Sequence, residues 1–139
     1  MTTKPPFRPI IRTQADLERT WRQLMGPWGF SRASLWLMFI DAEDRAVPSL
    51  TEIQDCDDLP DAAMLDNLAG MAARLLADCD PGGRLAVLRS RPGDGITEHD
   101  RAWARGLVQA CRSAGVPTEV VHLATHGEVK PLPYDDLAA

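Results

Sequence analysis

Apolar residues recur along this chain with two different periods, and the alternation between them outlines the fold. Leu17, Trp21, Leu24 and Met25 fall at helical spacing and predict a first helix. Thr13 or Asp16 is its candidate cap, and Gly26-Pro27 its stop. Residues 35–40 are apolar without interruption, the pattern of a central strand covered on both faces. A turn at 41–44 leads to a second strand at 46–53, where Pro48 predicts a bulge or an edge position. After an acidic loop at 54–60, Asp61 caps a long helix that ends near Asp78. Its expected inward face is Met64, Leu65, Leu68, Met71, Ala72, Leu75 and Leu76. Residues 80–83 turn the chain into a short buried strand at 85–88. Residues 89–96 read as a loop, and Thr97 caps a third helix with Trp103, Leu107, Ala110, Cys111 and Ala114 inward. Gly115 and Pro117 end it. Strands are predicted at 119–123 and 128–132, with Gly127 at the turn between them; Val121 and Leu123 share one face, and Val120 and His122 the other.

The order α-β-β-α-β-α-β-β, with helices interleaved among strands, predicts an α/β fold with a mixed β-sheet flanked by helices. The domain boundaries expected are a flexible N-terminal arm at 1–12, one domain at 13–132 and a C-terminal tail at 133–139. The prolines of the arm at 4–9 also suit an extended recognition segment. At 139 residues a single core can form without disulfides or metals.

Composition narrows the function classes. The longest apolar run, 35–40, is far below the roughly 20 residues of a membrane span. Residues 1–9 carry no apolar stretch of a secretory signal. Cys56, Cys79 and Cys111 are odd in number and lack C-x-x-C spacing, so reduced thiols and a cytoplasmic location are expected. Thirteen arginines against two lysines suggest a GC-rich bacterial background. A net charge of −5 argues against nucleic acid as a partner, since phosphate neutralisation supplies most of that affinity.

The segment with most chemical content is Leu88-Arg89-Ser90-Arg91-Pro92-Gly93, followed by Thr97-Glu98-His99-Asp100. It resembles the metal site of JAB/MPN-type domains, and in particular their RadC-like branch. There a strand ends in His-x-His-Pro and a glycine-bearing loop leads to Ser-x-x-Asp at the start of a helix. The resemblance runs from Thr13 to Leu132. It takes in the turn from Asp41 to Arg45, the long second helix, the helix end at Gly115 and the segment Val121-His122-Leu123. It implies a JAB/MPN architecture, related to that of cytidine deaminases. In the active family two histidines and an aspartate bind zinc, a serine donates to the reacting oxyanion, and a glutamate moves the proton. Carried over by position, the histidine slots are Arg89 and Arg91, the aspartate slot is Asp100, and the serine slot is Thr97. Glu52 is the nearest candidate for the glutamate.

Guanidinium groups stay protonated and offer no lone pair to a metal. The expectation is therefore no metal, no cofactor and no hydrolase of the family's kind. His99, His122 and His126 do not share one face with Asp100, and His122 reads as a buried ring bonded to backbone. Two alternatives remain for the arginines. At i, i+2 they point the same way if the strand extends through them, and with Arg101, Arg105 and the helix terminus they could bind an anion. They could equally pair with Asp94, Asp100 or Glu52 as an internal network, with Thr97 and Asp100 forming a capping box. Trp28 and Phe30 are candidates for either a binding loop or a core plug, and the acidic run Asp55, Asp57, Asp58, Asp61 reads as a solvated loop.

Two function classes follow. The first is a non-catalytic, metal-free RadC/JAB-like domain acting as a binding or scaffold module. Its compatible partners are another protein, a second copy of the chain, or a small anion held by Arg89, Arg91, Thr97 and Arg101. The alternative is an enzyme of different chemistry, acting on an anionic small molecule at Arg89, Arg91 and Thr97, with Glu52 or Asp100 as acid or base. An aspartate held by two arginines stays ionised and makes a poor general acid, which weighs against the second class.

Overall fold

The computed structural model describes residues 8–26 and 30–133. The expectations for Trp28 and for both ends of the chain beyond these limits fall outside the described residues. The elements are α1 (Gln14–Met25), β1 (Ser34–Ile40), β2 (Ala46–Ile53), α2 (Ala62–Cys79), β3 (Arg84–Ser90), α3 (Glu98–Ala114), β4 (Val121–Thr125) and β5 (Glu128–Leu132). The strands form a mixed five-stranded sheet in the order β2-β1-β3-β4-β5. Only β3 and β4 are parallel, joined by the α3 crossover; the other neighbours are antiparallel. The chain is thus α/β, with three helices flanking one sheet.

Alternation along the strands divides the interior into two layers. Leu35 and Leu37 of β1, Leu85 and Val87 of β3, and Val121 and Leu123 of β4 face α2 and α3. Met38, Ile40, Ala86, Leu88 and Ala124 face α1, meeting Leu17, Trp21 and Met25. This two-sided cover explains the unbroken apolar run of β1. Phe30 is half-buried against the α1 layer.

The helix ends follow local chemistry. Thr13 caps α1 through a reciprocal box with Asp16, Asp61 caps α2, and Gly115 closes α3 in the left-handed conformation that glycine adopts without strain. Residues assigned to the flexible arm take part in the packing. The Ile11 N–H bonds to Asp44 O, the Ala46 N–H bonds to Pro9 O, and Ile11 is buried. Arg84 fastens this corner by donating to Ile11 O, Asp44 and Glu119. Arg8 likewise donates to Ala46 O, so residues 8–11 take part in the packing ahead of residue 13.

Four details differ from the periodicity. Met71 and Leu75 of α2 are exposed, as is Ala114 at the end of α3. The apolar stripe of α2 is wider than the surface that the sheet and α3 offer it. Strand β3 continues through Arg89 and Ser90, and β4 starts at Val121.

Gly83 sits where the α2–β3 turn presses on β1. A Cβ there would lie 2.6 Å from Ile40 O and 2.9 Å from Asp80 O, both backbone atoms. Gly83→Ala is expected to destabilise the fold by about 1–3 kcal/mol, the usual cost of overpacking a rigid site. Urea unfolding of the variant beside the parent reads this directly.

Candidate functional site

The extension of β3 places Arg89 and Arg91 on the same side of the sheet, facing α3. Asp100, at the third position of that helix, points back at them. Arg89 Nε donates to Asp100 Oδ1 at 2.8 Å, and Arg91 Nε donates to the same oxygen at 2.8 Å. Arg91 Nη2 donates to Asp100 Oδ2 at 2.7 Å, and the Thr97 N–H donates to that oxygen at 2.8 Å. A carboxylate has about four lone-pair sites. All four are taken here, and Asp100 is fully buried.

Further donors of the two arginines also turn inward. Arg89 Nη1 bonds to Cys56 O at 2.7 Å, and its guanidinium carbon lies 5.6 Å from the centre of the Trp103 ring. Arg91 Nη1 bonds to Pro92 O and Nη2 to Gly95 O. Two guanidinium groups against one carboxylate leave one positive charge in excess. Three backbone carbonyls and an aromatic face spread that charge without a second anion. Burial alone would raise the Asp100 carboxyl. The hydrogen bonds from Arg91, the Thr97 amide and Arg89 outweigh it and hold the group far below the usual carboxylate range. The Asp100 bonds in turn raise Arg91 against its own burial penalty.

The cluster matches the internal-network alternative for Arg89, Arg91 and Asp100, and the capping box of Thr97 and Asp100 is part of the same network. Other candidates do not join it. Glu52 pairs with Trp36 across β1 and β2, which puts it on the α1 side of the sheet; there it accepts from Ser34 Oγ at 2.9 Å. Asp94 and His99 are exposed, and Arg101 pairs with Glu98 on the surface. His126 is exposed in the β4–β5 turn.

His122 shares the α1 side with Leu88, its partner in β3, and is fully buried. Its Nδ1 lies 3.0 Å from Val120 O, which fixes the ring proton on Nδ1. Nε2 has no partner. Desolvation lowers this histidine below its ordinary value, against the opposing pull of Val120 O, Glu18 and Glu119. Burial pushes the Cys111 thiol up to about 11, and the Cys56 thiol is also raised by burial, in part offset by Arg89. Neither offers a thiolate near neutral pH.

Zinc does not fit this cluster. The two cationic side chains repel it, and the one carboxylate has no lone pair left to give. Among the described residues no group of three or more His, Cys, Asp or Glu side chains converges as a metal site. Sequence reasoning missed the Cys56 carbonyl and the Trp103 ring as partners of Arg89. Trp103 follows Asp100 by three residues and therefore shares its helix face, a signal that was legible. The Cys56 contact spans 33 residues and left no local trace. No family model, curated protein or solved structure matches the chain.

Removing the carboxylate would leave both guanidinium groups buried without their anion. Asp100→Ala is expected to cost about 3–5 kcal/mol, measured by urea unfolding. Two buried groups contribute to the acid side of the stability profile. His122 is lowered in the folded state, so its contribution is complete above about pH 6.5 and declines as pH falls below that value. Asp100 is also lowered, so its contribution is present above about pH 3.8 and declines below it. Unfolding free energy followed across about pH 3 to 8 should show two separate declines. His122→Gln should abolish the upper one and keep the lower.

Proposed function

We propose that this chain is a non-catalytic binding or scaffold module on a degenerate JAB/MPN-like frame, with an internal ion cluster standing where the RadC-like branch holds its metal. The element order and the positions of Arg89, Arg91, Thr97 and Asp100 support the comparison with that family. The observation that carries the reading is the saturation of Asp100. The two arginines donate to Asp100 and to the carbonyls of Cys56, Pro92 and Gly95. An external phosphate or carboxylate would have to displace Asp100 and give up the Thr97 cap at the same time. The alternative, an enzyme acting on an anionic small molecule here, needs that displacement before any chemistry begins. Glu52, its other acid or base, sits across the sheet.

The reading is tested with zinc ions and inorganic phosphate, each titrated separately into the tag-free protein in a calorimeter and in thermal melts. Neither is expected to bind stoichiometrically or to give a saturable rise in melting temperature. A saturable phosphate shift that disappears in Arg91→Ala would overturn the reading in favour of the anion site. Stoichiometric zinc would overturn it in favour of a metal centre.

A further inference from the structure

The side of the sheet that carries α1 holds two buried polar atoms without partners, Trp21 Nε1 and His122 Nε2. Both residues are fully buried. At the end of the helix, Met25 and Gly26 line one small cleft with Ala124 and Thr125 of β4. One turn back along α1 is Trp21, and two residues back along β4 is His122. Those steps rise about 6 Å and about 6.6 Å, so the indole and the imidazole stand level across the layer. The charges of Glu18 and Arg22, on either side of Trp21, reach the imidazole from the same helix.

The two atoms are complementary only while the ring is neutral. With its proton on Nδ1, donated to Val120 O, His122 presents a lone pair at Nε2, and Trp21 presents an N–H. A second ring proton turns Nε2 into a donor as well. Two donors and a positive charge then share a layer of Leu88, Ala124 and Val129 with Pro131, the β5 partner of His122. A buried charge without a partner is costly. The charged groups nearby are committed elsewhere. Glu18 is paired with Arg22 within α1, and Glu119 with Arg84, which also holds Asp44. Strand β3 turns Ala86 and Leu88 to this side, and β5 turns Val129 and Pro131; the Glu128–Lys130 pair occupies the alternate positions of β5.

Helix α1 is the element that yields. Its buried face is Leu17, Thr20, Trp21 and Met25. Among the described residues its polar tie to the sheet is Arg22, which donates to Val129 O at 3.4 Å. Helix α3, by contrast, is fixed to β3 through Asp100. Upstream of α1, residues 8–11 are bonded to Ala46, Asp44 and Arg84, so a lifted helix stays tethered at its first turn.

We propose that His122 is an acid-sensitive latch for α1: protonation at Nε2 holds the helix off the sheet and bares Leu88, Ala124 and Val129, while α3 and the arginine cluster stay closed. The ring is sealed in the closed state, so its proton arrives from solvent once the end of α1 has lifted. The direction follows from linkage. Burial holds His122 below its ordinary value when closed, so opening takes up a proton, and the open population grows as pH falls below about 6.5. The growth is roughly tenfold for each pH unit while the closed ring stays neutral. This device is separate from the arginine cluster, so its failure leaves the reading of that cluster standing.

Amide exchange of the full chain, followed residue by residue by nuclear magnetic resonance from about pH 7.5 to about pH 5 and corrected for intrinsic exchange, is the test. The amides of Trp21, Leu24 and Met25 and the Trp21 indole N–H are expected to lose protection about tenfold per pH unit below about 6.5. The amides of Leu107, Ala110 and Cys111 in α3, which report global unfolding, should stay at least about tenfold better protected at every pH. His122→Gln, polar but uncharged, should make the protection of α1 independent of pH. The wild-type ring supplies a readout that needs no variant to fold: its nitrogen shifts should show the neutral Nδ1–H form as long as α1 is protected. One common protection for α1 and α3 throughout would overturn the proposal, since opening would then be global. So would an α1 whose protection ignores pH, a pH dependence that survives His122→Gln, or a ring that takes up its proton near about 6.5 with α1 still closed.

Discussion

The bond between Asp100 and the two arginines at the end of β3, Arg89 and Arg91, is the constraint on which one half of this molecule depends. It fastens the N-terminus of α3 to the end of β3. Through Arg89 it also reaches the carbonyl of Cys56 and so anchors the loop between β2 and α2. Trp103 completes the junction from the helix side, donating its indole N–H to Asp58 O while its ring lies under Arg89. Three segments distant in sequence meet at one carboxylate. A buried ion cluster of this kind contributes less to net stability than its count of bonds suggests, because its desolvation is costly. What it supplies is a single arrangement: no rotation or slip of α3 keeps all four bonds to Asp100.

The opposite side of the sheet is organised differently. There α1 lies on an apolar layer around Trp21, and His122, a buried ionisable group on that side, is held neutral by burial. One face is locked by charge and the other by exclusion of charge. The contrast explains why acid should act on the two faces in separate pH ranges.

Most of the fold was legible in the pattern of residues. Period and length identified all eight elements, and the caps at Thr13, Asp61, Thr97 and Gly115 followed from local rules. What remained hidden depended on partners far along the chain. The exposure of Met71 and Leu75 reflects how much of α2 its neighbours cover, which no helical pattern encodes. The anchoring of Ile11 needs Arg84, 73 residues away. For the candidate site, the i, i+2 spacing of Arg89 and Arg91 and the capping position of Asp100 pointed to residues that meet in the structure. Whether the arginines faced outward to an anion or inward to Asp100 turned on the path of β3 through Arg89. The placement of Glu52 turned on the pairing of β2 with β1, and neither can be read from a local motif.

The central claim is that Asp100 is an ionised carboxylate saturated by donors of its own chain. The most direct measurement is its side-chain carboxyl carbon shift, followed by nuclear magnetic resonance as the pH is lowered. The account expects the resonance to keep its ionised position through the range around pH 3.8 where an ordinary aspartate titrates, and to change only when the protein unfolds. A titration of Asp100 near that ordinary value, with the fold intact, would contradict it.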